Sequence, residues 1–461
     1  MLFSSNVFLF AYLPCVLLVY YLVPRWLRNP FLLLVSLLFY GWGEPVHLFL
    51  MVGAIALNYL GGAWIHGRRN KGKDARWVLA AAIAANLLLL GYFKYAGFLV
   101  RTLRSLIPAL AGVSVPEIAL PIGISFYIFQ SMSYVIDVYR EDAPVQKNPL
   151  TFGTYVSLFP QLIAGPIVRY ADVAEQMDHR RENVPDFASG VMLFVAGLAK
   201  KVLLANPMGQ LWMLLQLRQG TVMAWVGILA YSLQIYFDFS GYSDMARGLG
   251  RMIGFEFLEN FNYPYISRSI TEFWRRWHIS LSTWFREYVY IPLGGNRRGK
   301  ARQILNLLIV WLLTGFWHGA SWNFVLWGLY YALWLIAEKL FLLKILERLP
   351  RAARHGYTLL IVVLGWALFC FEDMAALTAF LTRLFTLVPG TREGWNLVSG
   401  YLPLMAAAAF ACTPAGKELW NRYQESVPVR IGRIAAAAAV LLLCVAALAS
   451  QSYNPFIYFR F

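Results

Sequence analysis

Charge is what this sequence has least of. Asp, Glu, Lys and Arg make up 14% of 461 residues, while 59% are hydrophobic. Soluble domains carry about 25% charged and roughly 45–50% apolar residues, so a water-soluble globule is excluded. Acids are scarcer than bases: 24 Asp+Glu stand against 40 Lys+Arg, a formal charge of +16. In a soluble chain that surplus would point to nucleic acid. In a membrane chain it is the Lys and Arg excess of cytoplasmic loops beside anionic headgroups. Membrane lipids are therefore the expected partners, and nucleic acid is not. Cysteine is rare, and Cys15, Cys370, Cys412 and Cys444 mostly sit in apolar runs without ligand spacing. They read as small hydrophobes, not as a disulfide framework, a zinc site or an acyl carrier. There is also no G-x-x-x-x-G-K-[ST], no G-x-S-x-G and no H-E-x-x-H. If the chain catalyses a reaction, it must run on histidine, positioning and a bound activated donor.

What is present is apolar sequence along the whole length. At about 20 apolar residues per crossing, candidate segments lie near 6–24, 30–43, 46–66, 77–98, 118–138, 150–168, 187–205, 222–248, 303–317, 322–343, 357–372, 374–389, 398–413 and 431–450. Several are too short to cross alone and read as re-entrant or interfacial. The expectation is an all-α, polytopic membrane protein with about 10–12 spans, forming one domain over 1–461. The first segment has no basic n-region and no A-x-A cleavage site, and Arg25 and Arg28 follow it. It reads as a retained helix whose N-terminus lies outside. The loop from His66 to Arg76 carries five bases and one acid and reads as cytoplasmic, as does Lys344 to Arg354. The mixed-charge stretch 169–186 reads as a solvated or interfacial connection.

Residues 260–302 differ from a plain membrane wall. Ser269 and Glu272 have capping-box spacing, which predicts a helix start. At 100° per residue, Ile270, Phe273, Trp274, Trp277, Leu281, Trp284, Phe285 and Tyr288 share one face, and Arg275, Arg276, Thr283, Arg286 and Glu287 oppose it. His278 falls about 80° from the centre of the stripe, at its edge. The pattern predicts one amphipathic, interfacial helix. A loop from Pro292 to Lys300 follows, in which glycine backbone amides beside Arg297, Arg298 and Lys300 would hold phosphates. Positive-inside statistics explain the same residues, and a plain surface anchor explains the helix.

Two further features lie inside apolar sequence. Thr314-Gly-Phe-Trp-His318-Gly-Ala-Ser-Trp-Asn323 interrupts two apolar stretches, which predicts a broken helix lining a polar cavity. A neutral, desolvated imidazole there would accept a proton from an alcohol, as acyl transfer to a hydroxyl requires. A hydrogen-bonded core histidine is the alternative. Asp238 and Asp244 lie six residues apart in an apolar span, where carboxylates pair or line a pathway. Arg247 is the expected partner of Asp244. Asp238 has none in its own segment and would orient a histidine or reach the bases at 268–276.

Taken together these stretches resemble the membrane-bound O-acyltransferase (MBOAT) family, in its bacterial alginate O-acetyltransferase branch. The resemblance is carried by Met1 to Asn6, Tyr92 to Tyr95, Leu120 to Tyr127, Phe129 to Tyr139, Phe159 to Ile167, Tyr236 to Asp244, Trp274 to Gly299 and Gly315 to Gly319. It implies a helical body around a central tunnel, with the catalytic region at about 230–345. It also implies that His318 is the catalytic residue and His278 a second one. The hypothetical donor-binding set is Arg275, Arg276, Arg297, Arg298, Asp238, Trp274, Trp277 and Asn323, with no metal ligand. No cofactor is expected to be resident; acetyl-CoA is the expected donor substrate.

The expected activity is transfer of acetyl from a cytoplasmic donor across the bacterial inner membrane, with the N-terminus periplasmic. The acceptor is an exported polysaccharide, alginate or a similar exopolysaccharide. A periplasmic polysaccharide acetyltransferase of SGNH type (AlgJ- or AlgX-like) is the expected protein partner. Peptidoglycan O-acetylation and D-alanyl transfer to teichoic acid are alternatives within the family. Tyr236 to Asp244 and the C-terminal Tyr453 to Phe459 resemble the alginate branch more than the teichoic one. A transporter or flippase for a lipid-linked sugar is the alternative from another class; it would leave both histidines without a role.

Overall fold

The computed structural model describes residues 1–423, 427–450 and 456–457. The resemblance at Tyr453 to Phe459 therefore lies outside the described residues, apart from Phe456 and Ile457. No β-strand occurs among the described residues, in agreement with the all-α expectation. The chain forms α1 (Leu13–Leu22), α2 (Arg28–Gly41), α3 (His47–Arg69), α4 (Arg76–Leu90), α5 (Ala96–Leu106), α6 (Ile124–Arg140), α7 (Pro149–Ser157) and α8 (Tyr170–His179). Next come α9 (Val184–Ala199), α10 (Asn206–Gln216), α11 (Thr221–Met252), α12 (Ile270–Arg276), α13 (Ile279–Phe285), α14 (Lys300–His318) and α15 (Trp322–Ala337). The remainder are α16 (Leu343–Glu347), α17 (Arg351–Cys370), α18 (Met374–Phe385), α19 (Arg392–Ala411), α20 (Ala415–Tyr423) and α21 (Val427–Ser450).

Six helical stretches among the described residues are long and apolar enough to cross a membrane: His47–Arg69, Arg76–Leu106, Val184–Gln216, Thr221–Met252, Arg351–Cys370 and Ile431–Ser450. Shorter apolar helices, Phe8–Leu22 and Met374–Phe385, stand beside them, and two of the expected segments are helical over only part of their length. The apolar run at 118–138 becomes helical only at Ile124, after Gly123 takes φ 74° in the left-handed region. The run at 150–168 keeps a helix only over Pro149–Ser157, and Pro160 follows. Apolar composition is therefore spent partly on buried short helices, which length-based counting reads as crossings.

Packing divides the chain into two compact units, Met1–Phe194 with Met245–Leu258, and Val195–Asp244 with Glu259–Phe461. In the first, α3 packs on α4 and α6. Asn58 and Asn86 exchange side-chain amide hydrogen bonds of 3.0 and 2.8 Å between α3 and α4, satisfying polar groups that lipid would not. The stretch 169–186 is more than a solvated connection. Arg28 and Arg180 approach Glu182 to 2.6 and 3.7 Å, and the Tyr20 hydroxyl lies 2.6 Å from the same carboxylate. Arg180 also donates to Asn29 at 2.6 Å. These paired charges line a cleft of about 280 Å³ with Arg25 and Arg181.

In the second unit, α14 and α15 form an antiparallel hairpin at very close range. A Cβ on Gly315 would collide with Phe324 O, and one on Gly328 with Trp311 O. Glycine is required at this crossing so that the backbones can touch. The hairpin carries Trp311, Trp317, His318, Trp327 and Tyr331 on its buried side.

Candidate active site

The capping box is present: Ser269 Oγ accepts from Glu272 N at 3.0 Å, and α12 begins there. The two preceding amide groups of the same turn are held from elsewhere. Glu338, 1% exposed, accepts from Ile270 N at 2.7 Å, Thr271 N at 2.8 Å and Thr271 Oγ1 at 2.6 Å. The Tyr357 hydroxyl donates to it at 3.1 Å. One buried carboxylate thus satisfies the orphan donors at the start of α12, and its charge suits that end of a helix.

The expected single amphipathic helix is broken. The chain leaves α12 at Trp277, and His278 takes φ 46°, ψ 54° before α13 begins. A non-glycine residue in the left-handed region is uncommon and strained, and persists where surroundings over-determine it. Here the determinant is Asn260, 18 residues upstream. Its carbonyl accepts from Ile279 N at 3.0 Å. Its Oδ1 accepts from Ser280 N at 3.1 Å and Ser280 Oγ at 2.9 Å, and meets His278 Nδ1 at 3.2 Å. The apolar stripe is not interfacial either: Ile270, Phe273, Trp277 and Leu281 are 0%, 0%, 1% and 3% exposed. These side chains fill an interior, so the segment is part of the protein core and not a surface anchor.

The break also fixes the chemistry of His278. A backbone N–H can only donate, so the atom facing Ser280 N must be the Asn260 oxygen. That oxygen can only accept, so His278 Nδ1 carries the proton and Nε2 is the acceptor nitrogen of the neutral ring. Burial pushes the His278 pKa down to about 3. The ring is therefore a neutral, oriented base across the physiological range.

His278 lines a cavity of about 270 Å³. Its buried end is made by His278, Trp274, Leu281, Trp311 and Thr314, and its exposed end carries Arg275, Arg286 and Lys339. Among the described residues the buried Trp274 indole N–H has no hydrogen-bond partner. His318 is not in this wall. It closes α14 four residues after Thr314, 2% exposed, with ring centroids 4.9 Å from Trp317, 5.0 Å from Trp327 and 5.2 Å from Phe369. Trp317 lies 5.7 Å from the His278 ring, so one indole touches both imidazoles. The break after His318 lies in an aromatic box rather than the polar cavity expected. The neighbouring glycines admit close packing: a Cβ on Gly315 would meet Phe324 O, and one on Gly319 the Phe324 ring.

The other candidates separate clearly. Arg275 and Trp274 line the cavity. Trp277 does not; it packs against Phe261, Phe273 and Trp366 at 5.1, 5.6 and 4.7 Å. Arg276 pairs with Glu272 at 3.0 Å and donates to Asn262 O. Arg297 and Arg298 are exposed on the loop and lie outside the cavity wall. Asn323, fully buried, donates to Leu368 O and Phe369 O and accepts from Ser321 Oγ, tying α15 to the end of α17. Asp238 neither orients a histidine nor reaches residues 268–276. Lys201 Nζ lies 2.6 Å from it, with both side chains buried, and Ile457 N donates to it at 2.8 Å. Asp244 meets Lys200 at 2.6 Å, an ion partner that helix spacing alone does not reveal.

An oriented neutral imidazole at the buried end of an apolar cavity, with cations at the open end, suits acyl transfer from a large anionic donor. The sequence pattern of the MBOAT, membrane-bound O-acyltransferase, family matches residues 140–369. The probable alginate O-acetylases of Azotobacter vinelandii and Pseudomonas putida are each 40% identical, with 100% of both chains covered. The chain belongs to the membrane-bound O-acyltransferase family. It is an O-acyltransferase, and both histidines and the whole cavity wall lie within the matched residues. The peptidoglycan O-acetyltransferase of Helicobacter pylori is 34% identical over 93% of this chain and 84% of its own.

In this membrane-bound O-acyltransferase, sequence reasoning missed Asn260, Glu338, Lys339 and the Lys200–Lys201 pair. Asn260 and Glu338 act over 18 and 68 residues of sequence, beyond any helical period. Lys200 and Lys201 carried a signal that was open to reading: two lysines inside an apolar span need carboxylates, and Asp238 and Asp244 are the carboxylates of another span.

Proposed function

We propose that this enzyme transfers acetyl from cytoplasmic acetyl-CoA across the bacterial inner membrane for O-acetylation of an exported polysaccharide, alginate or a similar exopolysaccharide. The names of the relatives support the acetyl group and the polymer. The observation that carries the donor reading is the cavity: apolar walls for a pantetheine-like arm, cations at the open end for phosphates, and His278 at the buried end. Arg275, Arg286 and Lys339 meet the donor phosphates, in place of Arg276, Arg297 and Arg298. The Trp274 indole N–H is a hydrogen-bond donor for the thioester carbonyl as negative charge develops on its oxygen.

In the reaction, His318 takes the proton of an acceptor hydroxyl as the oxygen attacks the acetyl carbonyl carbon. The tetrahedral intermediate collapses with cleavage of the carbon–sulfur bond. The thiolate leaves and takes up a proton, delivered through His278 or water. An ester and a free thiol result, with no covalent acyl-enzyme required. The acceptor hydroxyl belongs to a periplasmic partner acetyltransferase of SGNH type and meets the donor through a central tunnel. The ester formed is therefore the partner's, and the partner passes the acetyl to a polymer hydroxyl. The N-terminus lies in the periplasm. Peptidoglycan is the second reading for the acceptor, favoured by the 34% identity to the Helicobacter pylori enzyme.

Deletion of the gene, followed by measurement of ester-linked acetate in exported polysaccharide and in peptidoglycan, tests the proposal. Acetate should fall in the exopolysaccharide alone and return with the wild-type gene but not with His318→Ala. Full acetylation by His318→Ala at normal protein level would overturn the assignment, and loss from peptidoglycan would select the second reading.

A further inference from the structure

A second cavity of about 450 Å³ lies among α11, α17 and α19, and the acyl-transfer chemistry has no use for it. Leu229, Leu233, Val363 and Leu402 line it along the helices; His355 and Thr413 are polar members at one end, and Ser232 and Tyr265 lie together along the wall, where the Tyr265 hydroxyl donates to Ser232 O. His355 lies in the second turn of α17, and Thr413 two residues past the end of α19. The cavity therefore runs from a helix-end boundary into the apolar depth of candidate spans α11 and α17.

Its side opening is apolar. Leu229 and Leu402 are 42% and 60% exposed, and Ala406 and Ala409 are also exposed. Leu229 lies on the candidate span α11, where an exposed apolar side chain faces hydrocarbon, so the occupant enters from the bilayer. The polar end is strongly basic. Lys344, Arg348, Arg351 and Arg354 stand against Glu347 alone in this short stretch. Arg351 lies four residues before His355, on the face of α17 that continues through Leu359 and Val363 into the cavity. The Arg354 Nε is buried without a hydrogen-bond partner among the described residues. His355 Nδ1 donates to Ser267 O at 3.1 Å, which fixes the orientation of the ring at the cavity wall.

We propose that this cavity is a binding site for an anionic phospholipid, with one acyl chain between α11, α17 and α19 and the phosphate at the His355 end, held by Arg351 and Arg354. The charge at the polar end selects an anionic headgroup over a zwitterionic one. The lipid is a structural ligand and not a substrate. Tyr265, which lines the cavity, receives a hydrogen bond from Trp366 and packs 6.3 Å from Trp277, the residue preceding His278. Occupancy thus supports the aromatic wall behind the catalytic turn.

Phosphatidylglycerol carrying a diazirine in one acyl chain, incorporated into nanodiscs with the purified protein, provides the test. Photocrosslinks should concentrate on peptides containing Leu229, Leu359, Val363 and Met405. Unlabelled phosphatidylglycerol should compete about tenfold better than phosphatidylcholine. Combined Arg351→Ala and Arg354→Ala substitution should abolish that preference, and Ala406→Trp, at an exposed position, should remove the crosslinks by filling the cavity. Labelling spread evenly over the outer helix faces, or equal competition by the two lipids, would overturn the proposal. These readouts need no acyl transfer, so they hold whether or not the donor assignment does.

Discussion

Two recesses of nearly equal volume, each lined by arginine, put the same residue type to opposite use. The cleft of about 280 Å³ in the first unit is lined by Arg25, Arg28, Arg180 and Arg181, but also by Asp178 and Glu182. Arg28 and Arg180 are turned onto Glu182, with Tyr20 completing its hydrogen bonds. The cavity of about 270 Å³ in the second unit has Arg275, Arg286 and Lys339 in its wall and no carboxylate among its lining residues. Arg286 leans on Glu287, which lies outside that wall. Closed ion pairs hold structure together; cations facing an apolar chamber supply charge for a ligand. The difference lies in the partners and not in the arginines.

That contrast can be broken from either side. The largest expected effect is on stability. Glu182→Ala removes the carboxylate shared by two half-buried guanidinium groups, of which Arg180 keeps its bonds to Asn29 and Met177 O. It should cost on the order of 2 kcal/mol in detergent-solubilised unfolding, while activity per folded molecule is unchanged. Burial pushes the Glu182 carboxyl up, but hydrogen bonds from Tyr20 and Arg28 outweigh it and hold the pKa below its ordinary value. Its contribution is therefore present above the ordinary carboxylate range and is lost as pH falls through the lowered value. A Glu182→Ala enzyme that unfolds normally but fails to transfer would collapse the distinction.

His278→Ala should lower acetyl transfer by about 100-fold with little change in unfolding. The pH dependence is sharper still. His278 stays neutral in the folded state down to about pH 3, so its titration should leave no limb near pH 6.5 in the kcat/KM profile. The unfolded chain takes up that proton first, so the folding contribution of His278 declines as pH falls from about 6.5 towards 3. Asn260→Asp places a carboxylate against Nδ1, favours the imidazolium and should introduce a new acidic limb. An unchanged profile would sink the Asn260–His278 assignment.

Smaller effects follow outward from the cavity. Glu338→Ala removes the acceptor at the start of α12 and should cost about 2 kcal/mol, with Glu338→Gln costing less. Arg275→Ala should raise the KM for acetyl-CoA roughly tenfold and leave kcat nearly unchanged. Arg298→Ala, on the exposed loop, should change KM by no more than about twofold. Equal responses from Arg275 and Arg298 would move the donor phosphates back to the loop.

The sequence announced the helical membrane class, the capping box at Ser269 and the two helices meeting around Gly319. Each is a local or compositional property. The break at His278 was not legible, because periodicity records which residues share a face and not which distant amide compensates a strained turn. Asn260 does that from 18 residues away. The pairing of Asp238 failed for a related reason. A carboxylate with no cation in its own segment must find one elsewhere, and pattern does not say which: the partner is Lys201, not a histidine or the bases at 268–276. Both histidines stood out in the pattern, His278 at the edge of the aromatic stripe and His318 between two apolar stretches, and the resemblance gave them roles; that one lines the cavity and the other stands behind Trp317 depends on packing between distant segments.

The most direct test sets the two recesses against each other. Purified wild type, His318→Ala and Glu182→Ala would be assayed for transfer of labelled acetyl from acetyl-CoA, normalised to folded protein. A loss of about 100-fold or more is expected for His318→Ala, and wild-type turnover for Glu182→Ala. Retained transfer by His318→Ala, or an equal loss in Glu182→Ala at full folding, would contradict it.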